Sequence, residues 1–484
     1  MSKTYRPYEP DQAFLLPPTL REWLPEDHLA LFLLDVVKQL DLSRIEAYYE
    51  RELRGFPPHH PRMMVTLLLY AYCVGVPSSR KMERRTHEDV AFRVLCANTH
   101  PDHKCISEFR RIHLPILASL FIEVLKLCRK AGLVKLGHVA LDGTKIKANA
   151  SKHKAMSYDR MKKDEEALAQ KVAELLSAAE TADETDDAQY GKDRRGDELP
   201  DDLRRAQGRL DRIRGLKAEL EAEARQQAEV AEAATKESAL GEAALVEVEN
   251  IEAAGAAAAD RPQTDARHDL PPPPPRASAP EPMPSHQVPT DKDGLPTGKA
   301  QRNFTDAESR IMKTGDGFVQ GYNAQAAVDE ANQIIVAYGV SNQSPDCQHL
   351  VPMLDRIVDN CGVSPERLSA DSGYLSEENV ARAVARGVDP FIAPGRIKHN
   401  EDGTPGAEPK EGTVKAQMKA KLATDEGNRV YSRRKVIVEP VFGQIKNRGF
   451  RHFLLRGIDK VRGEWALIAM SHNLLKLHGA RMAA

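Results

Sequence analysis

The 484-residue chain contains no apolar run approaching the roughly 20 residues that cross a bilayer. Its opening stretch, MSKTYRPYEPDQ, lacks the charged-then-apolar pattern of an export signal. Both absences lead to the expectation of a soluble, cytoplasmic protein. Cysteine is scarce: six residues (Cys73, Cys96, Cys105, Cys128, Cys347 and Cys361) with no Cys-x-x-Cys pair. That spacing argues against a zinc ribbon or a disulfide frame and reads as reduced thiols. An excess of charge is missing too, with 69 Lys and Arg against 71 Asp and Glu. Net charge therefore neither supports nor excludes a polyanionic partner; only the distribution of charge can. The length exceeds one compact core, and about three domains is the prior.

What is present divides the chain into blocks. From about residue 27 to 130, segments such as DHLALFLLDVVKQL and LPILASLFIEVLKLCRKAG carry apolar residues at i, i+3, i+4 spacing and read as helices. Pro61 and Gly132 are candidate start and stop signals. Arg80, Lys81, Arg84, Arg85, Arg110 and Arg111 supply basic stretches in this block, either as phosphate contacts or as a solvated helix face. Residues 133–150 change to a strand-like period. From 155 to 250, two Ala/Glu/Lys/Arg-rich segments carry apolar stripes, Met161–Leu168–Val172–Leu175 and Leu210–Ile213–Leu216–Leu220, which predicts an antiparallel helical hairpin. Residues 259–302, containing LPPPPPRASAPEPMPS, read as an extended or disordered linker. Order returns near 303, where strand, hairpin, helix, strand, helix, strand predict a mixed α/β sheet. If Val139–Leu141 is the first strand of that sheet, the segment 151–302 interrupts one domain. The tail from 429 to 478 reads as helical.

Three acids stand out. Asp142 follows the apolar run His138–Leu141 and precedes Gly143, so it is either a hairpin turn or a carboxylate at the end of a core strand. The turn would leave a very hydrophobic strand on a sheet edge, which disfavours it. Asp371 likewise follows an apolar strand, Leu368–Ala370, where ligands gather at strand carboxyl ends. Its alternative role is to cap a helix, although Ser376 is the better cap. Glu439 lies among ten Lys and Arg between Arg429 and Arg462, with Asp459 the one other acid there. Glu439 and Lys446 share a helix face, with Lys435 one turn earlier, while Val438, Val441 and Ile445 face a core. Pro440 predicts a helix start or kink at Glu439.

With these residues in view, the sequence resembles the bacterial insertion-sequence transposases of the DDE type. The resemblance rests on HPRMMVTLLLYAY, EDVAFRVL and ISEFRR in the helical block, and on LDGTKIKANAS, GYNAQAAVD, SADSGY and VEPVFGQIKNRGFRHFLLRG beyond it. It implies a ribonuclease-H-like α/β core at 133–150 and 303–480. It further implies a helical N-terminal domain at 1–132 and a helical hairpin insertion at 151–258. The family's acids fall on Asp142, Asp371 and Glu439, as catalytic residues and as ligands for Mg²⁺, with Mn²⁺ substituting. Two such ions, about 3.5–4 Å apart, would stabilise the attacking and leaving oxygens of a DNA phosphodiester. The Tyr/Arg/Glu/Lys signature of related transposases matches at Glu439 and Lys446. It departs upstream, where Lys435 stands in place of the usual arginine, with Arg434 beside it and Tyr431 one residue further out.

The implied activity is cleavage at insertion-sequence ends and transfer of the freed 3′-hydroxyl into target DNA. DNA contacts are expected from Lys446, Lys435, Arg434, Tyr431, Arg448 and Arg451, and from Arg80, Arg84, Arg110 and Arg111. The implied partners are terminal inverted repeats and target duplex, bound by a homodimer in the nucleoid. The competing readings are a non-catalytic relic or domesticated DNA-binding protein, and a structure-selective nuclease on the same fold. His138, Ser372 and Tyr374 read as core, turn and packing residues.

Overall fold

The computed structural model describes residues 19–50, 58–190, 201–252, 281–315, 317–395 and 410–483. The chain opens with helices α1 (Leu29–Val37), α2 (Ser43–Glu50), α3 (Pro61–Cys73), α4 (Ser79–Glu88), α5 (Val90–Leu95) and α6 (His103–Lys130). Their starts follow from side-chain caps. Asp102 accepts from the Cys105 N–H at 2.7 Å, Asp89 accepts from Ala91 at 2.9 Å, and Pro61 occupies the first turn of α3.

The sheet is built from β1 (His138–Lys147), β4 (Arg310–Thr314), β5 (Gly317–Asp329), β6 (Ile335–Ser341), β7 (Arg367–Ala370) and β8 (Asp389–Ile392). Two short strands lie outside it, β2 (Ala155–Ser157) and β3 (Gln301–Asn303), which pair with each other. β5 runs antiparallel to β1 along one edge, while its other edge is shared by β4 and β6, both antiparallel. On the far side of β1 come β7 and then β8, both parallel. The order β6-β5-β1-β7-β8, with its antiparallel half meeting its parallel half at β1, is the ribonuclease-H-like arrangement. β1 is therefore central, and its apolar start is buried between two neighbours. Asp142 and Gly143 are paired in register with Ala326 and Gln325 of β5, so the Asp-Gly dipeptide forms no turn. The strand continues five residues beyond Asp142, further than its apolar run.

Between β1 and the rest of the sheet lie α7 (Tyr158–Tyr190) and α8 (Asp201–Glu252). Met161 packs with Ile213 and Leu216, while further along α7 Val172 packs with Leu203, Ala206 and Leu210. The two helices thus run antiparallel through the two apolar stripes. One expectation needs correcting. The sequence predicts an extended or disordered linker over 259–302, of which residues 259–280 lie outside the described residues. Residues 281–302, however, are packed against the body: Met283 and Val288 are buried, the His286 N–H donates to Asn342 Oδ1 at 2.8 Å, and Gln301–Asn303 forms β3. Isolated apolar residues among prolines found partners on the sheet and on α8.

The chain finishes with α9 (Leu350–Cys361), α10 (Glu377–Ala385), α11 (Val414–Ala423), α12 (Asp425–Ile437), α13 (Glu439–Asn447) and α14 (Ile458–Ala483). The last helix is buried along most of its length and packs on α6, α3 and β6. The N-terminal helices and the sheet consequently share one continuous hydrophobic core, although the sequence divides them at residue 132. Among the described residues no helix is long and apolar enough to cross a membrane.

Candidate active site

β1 and β7 are parallel neighbours with Ala140 opposite Ser369. Two residues further along each come Asp142, still on β1, and Asp371, one residue past the end of β7, near enough for the Asp371 charge to act on Asp142. Asp142 is largely enclosed, with 17 % of its side chain exposed. Burial pushes its carboxyl up to about 6 against the pull of the Arg434 guanidinium, and the nearby Asp371 charge adds to the rise. Asp371 does make a cap: it accepts from the Gly373 N–H at 2.9 Å and closes the turn Ser372–Tyr374, while Ser376 caps α10 through Asn379. Capping and a place beside Asp142 are compatible, because the bond engages Oδ1.

Glu439 arrives from the helical tail. α12 stops at Ile437, and α13 begins at Glu439 with Pro440 in its first turn, so the break falls at Val438. Val438, Val441 and Ile445 are buried and fix the helix against the core. The cation that joins the acids is Arg434. Its Nη1 lies 3.1 Å from Asp142 Oδ2 and its Nη2 lies 3.7 Å from Glu439 Oε1. Burial opposes its charge, yet Asp142, Tyr431 and Asp371 hold its pKa above the usual arginine value. The Tyr431 ring lies 5.9 Å from the guanidinium carbon. Lys435 is exposed on the next position of α12. Lys446 donates to Thr144 Oγ1 at 2.7 Å, and burial lowers its pKa while Asp142 opposes that fall.

A fourth acid completes the cluster. Asp346, in the segment entering α9, accepts from Lys145 Nζ through both oxygens at 3.0 and 3.1 Å. Asn323 and Gln325 donate to its Oδ1 at 2.7 and 2.9 Å, and the Tyr374 hydroxyl donates to Gln325 Oε1. A Cβ placed on Gly143 would lie 2.9 Å from Asp346 Oδ1, and one on Gly373 would lie 3.5 Å from Asp346 Cβ. Asp346 is thus wedged beside the backbone that carries both Asp142 and Asp371. Sequence reasoning missed this network. Its visible trace was the pair Asn323 and Gln325, two polar residues at strand period inside the otherwise small and apolar GYNAQAAVD.

The basic residues expected to touch DNA fall into two sets. Arg80, Lys81 and Arg451 are exposed; Arg84, Arg85 and Arg111 are also exposed but pair with Glu88, Asp89 and Glu108. Arg110 and Arg448 turn inward instead. Arg110 is 6 % exposed and donates to Pro77 O at 2.7 Å, and Arg448 donates to Ser471 Oγ at 3.1 Å beneath the Phe450 ring. Both guanidinium groups serve internal contacts. His138 is buried between Glu330 and Ser369.

Does this set of donors suit a divalent ion? Hard carboxylate oxygens suit Mg²⁺, which binds through one or two carboxylates and keeps waters and phosphate oxygens for its other positions. Asp142 and Asp371 meet that demand. Arg434 stands between Asp142 and Glu439, and among the described residues no three His, Cys, Asp or Glu side chains close around one point. The fit is therefore that of an open pair with a third acid across a cation.

A ribonuclease-H-like sheet with one acid on its central strand, a second just past the neighbouring strand and a third on a following helix is an arrangement suited to polynucleotide-processing enzymes. The comparisons make this specific. A transposase DDE domain family matches residues 285–474, which include Asp371 and Glu439 but not Asp142, and a transposase domain family of otherwise unassigned role (DUF772) matches residues 18–111. The chain belongs to the insertion-sequence transposases of the DDE type. No curated protein and no solved structure matched it.

Proposed function

We propose that this transposase cuts the phosphodiester at insertion-sequence ends and joins the freed 3′-hydroxyl to target duplex, with Asp142, Asp371 and Glu439 as its catalytic carboxylates. The observation that carries the reading is the convergence of Asp142, on central strand β1, and Asp371, one residue past the end of its parallel neighbour β7, where the Asp371 charge helps to raise the Asp142 carboxyl. Two carboxylates brought together, one of them largely enclosed, are poorly placed for stability alone and well placed for binding cations. Asp142 and Asp371 would hold divalent metal between them, with Glu439 as the third ligand. When bound, Mg²⁺ or Mn²⁺ supplies charge stabilisation at the attacking and leaving oxygens and a more acidic water.

The remaining work falls to the chain. Lys446, steadied by Thr144, presents a cation beside Asp142 for a phosphate oxygen. Arg434 balances the carboxylates before substrate arrives and orients Asp142 through its Nη1 contact. Asp346, held by Lys145, Asn323 and Gln325, fixes the backbone on which the first two acids ride.

The test is cleavage of a labelled insertion-sequence end by purified protein with Mg²⁺, beside Asp142→Asn, Asp371→Asn and Glu439→Gln. The expected result is end cleavage by wild type, and variants that bind the duplex without cutting it. Variants that cut as well as wild type would remove the assignment. If wild type binds the end and does not cut it, the chain acts as a DNA-binding protein.

A further inference from the structure

Beyond Asp142, β1 runs out of the sheet into a basic surface. Lys147 is exposed at its end, and Lys152, His153 and Lys154 are exposed in the turn that follows. There a groove of ≈ 440 Å³ opens at the base of the helical hairpin, walled by His153, Lys154, Arg160, Arg209 and Arg212, with Gly208 in its helical side. Met156 and Phe304 give it an apolar floor, and none of its lining residues is acidic. Arg160 and Arg209 share one distant counter-charge, Asp164, at 3.9 and 3.8 Å, and Arg212 donates to Phe304 O at 2.7 Å. Among the described residues Lys152 and Lys154 form no ion pair.

A solvated helix face usually interleaves its charges, because like charges close together repel. Here three separate segments (the turn, α7 and α8) converge cations on one concavity. Gly208 is a second, independent mark. A glycine inside a helix weakens it relative to alanine. No packing demands one here, since a Cβ at Gly208 would meet nothing within 4 Å. Its effect is to keep the helical wall low beside Arg212, one turn away on the same face.

We propose that this groove binds the sugar–phosphate backbone of duplex DNA flanking the reacting bond, so that the insertion extends the DNA-binding surface of the catalytic core. The proposal rests on the DNA-cutting role given above. From Asp142 to Lys147 the strand advances about 16 Å. That is about half of the roughly 34 Å of one duplex turn. A duplex with its reacting phosphate at Asp142 and its axis along β1 would pass Lys147 within half a turn, and the basic turn that leads into the groove follows directly. Phosphate oxygens suit a row of arginines and lysines above an apolar floor, and such contacts carry no base sequence.

The experiment is a salt series of binding constants for the full chain and a linear duplex of arbitrary sequence, read by fluorescence anisotropy without divalent metal. The groove variant carries Lys154→Gln, Arg160→Gln and Arg209→Gln together. A charge-matched control carries Lys38→Gln, Lys130→Gln and Arg481→Gln. Each phosphate released reduces the slope of log K against log salt by about 0.9, so the groove variant should lose up to about 2.7 in slope and the control little. Gly208→Glu adds an acid to the wall where space is open, and should weaken binding while the melting temperature holds or rises. Equal slopes and affinities for groove variant, control and wild type would overturn the proposal, as would Gly208→Glu binding like wild type. Asp142→Asn, assayed in parallel, separates the two readings. If it binds and fails to cut while the groove variants bind normally, the groove proposal alone falls; if wild type binds no duplex, both fall.

Discussion

The Arg434 guanidinium lies between two of the three acids, 3.1 Å from Asp142 and 3.7 Å from Glu439. Arg434 and Lys435 are adjacent in sequence, and the helix gives them opposite fates: Arg434 is 9 % exposed and turned inward, Lys435 faces solvent. Removing one partner of an enclosed ion pair strands the other, which costs about 3–5 kcal/mol when burial is complete. Because Glu439 is 53 % exposed, the expected loss for Arg434→Gln is nearer to about 2 kcal/mol. End cleavage should drop by roughly 10–100-fold, as for groups that orient a ligand side chain. Lys435→Gln should stay within about 0.5 kcal/mol of wild type. Denaturant melts and cleavage rates of the two variants check this, and equal effects would show that the inward contact carries no weight.

Asp142 should leave a signature in stability against pH. Its folded pKa is about 6, above the roughly 3.9 of an unfolded aspartate. As pH rises from about 4 to about 6, the folded chain retains a proton that the unfolded chain has released, so this group's contribution to stability is lost as pH climbs. Asp142→Asn lacks that slope. In metal-free protein, the variant's stability relative to wild type should grow by on the order of 2 kcal/mol across that window and level off above it. A flat difference would mean that Asp142 titrates as a solvated acid.

These two expectations mark where the sequence was informative and where it was not. The apolar run before Asp142, the one before Asp371 and the buried stripe Val438–Val441–Ile445 are local patterns, and each marked the element that presents an acid. Strand order was legible only through family resemblance, because nothing in His138–Leu141 says that β7 lies beside it. The choice between Arg434 and Lys435 hung on helix phase next to Pro440, which breaks the period at Val438. Arg110 and Arg448 looked like solvent-facing cations, since burial of an arginine depends on carbonyls and rings contributed by distant segments. Asp346 was invisible for the same reason: its donors Lys145, Asn323 and Gln325 lie on two other strands.

Asp346 should matter without touching DNA. Its carboxylate collects Lys145, Asn323 and Gln325 and abuts Gly143 and Gly373, so it sets the spacing of the Asp142 and Asp371 backbones. Asp346→Asn keeps the shape but replaces an acceptor with a donor facing Lys145. The expected outcome is a loss in end cleavage of roughly 10–100-fold, the usual cost of disturbing groups behind metal ligands. Duplex affinity should stay unchanged, and raising the Mn²⁺ concentration should recover part of the rate. Loss of DNA binding instead would place Asp346 at the DNA surface.

The junction between the helical N-terminal block and the C-terminal helices gives the last prediction. Gly75, just after α3, has φ +73°, and a Cβ there would fall 2.2 Å from the Arg448 carbonyl oxygen. Two demands coincide at one residue: a left-handed backbone that side chains disfavour, and a close approach to another segment's main chain. Arg448 cannot retreat easily, because it is tied to Ser471 of α14, and Tyr72 stacks on Phe450 at 5.7 Å beside it. Gly75→Ala should therefore cost about 3 kcal/mol or more, combining backbone strain with overpacking. Gly132 also has positive φ, at +73°, but open space around its Cβ, so Gly132→Ala isolates the strain alone and should cost about 1–2 kcal/mol. Paired denaturant melts would measure the difference. If the two variants are equally destabilised, the contact with Arg448 contributes nothing; if Gly75→Ala is worse, the helical block and the tail that carries Glu439 are locked together at this glycine.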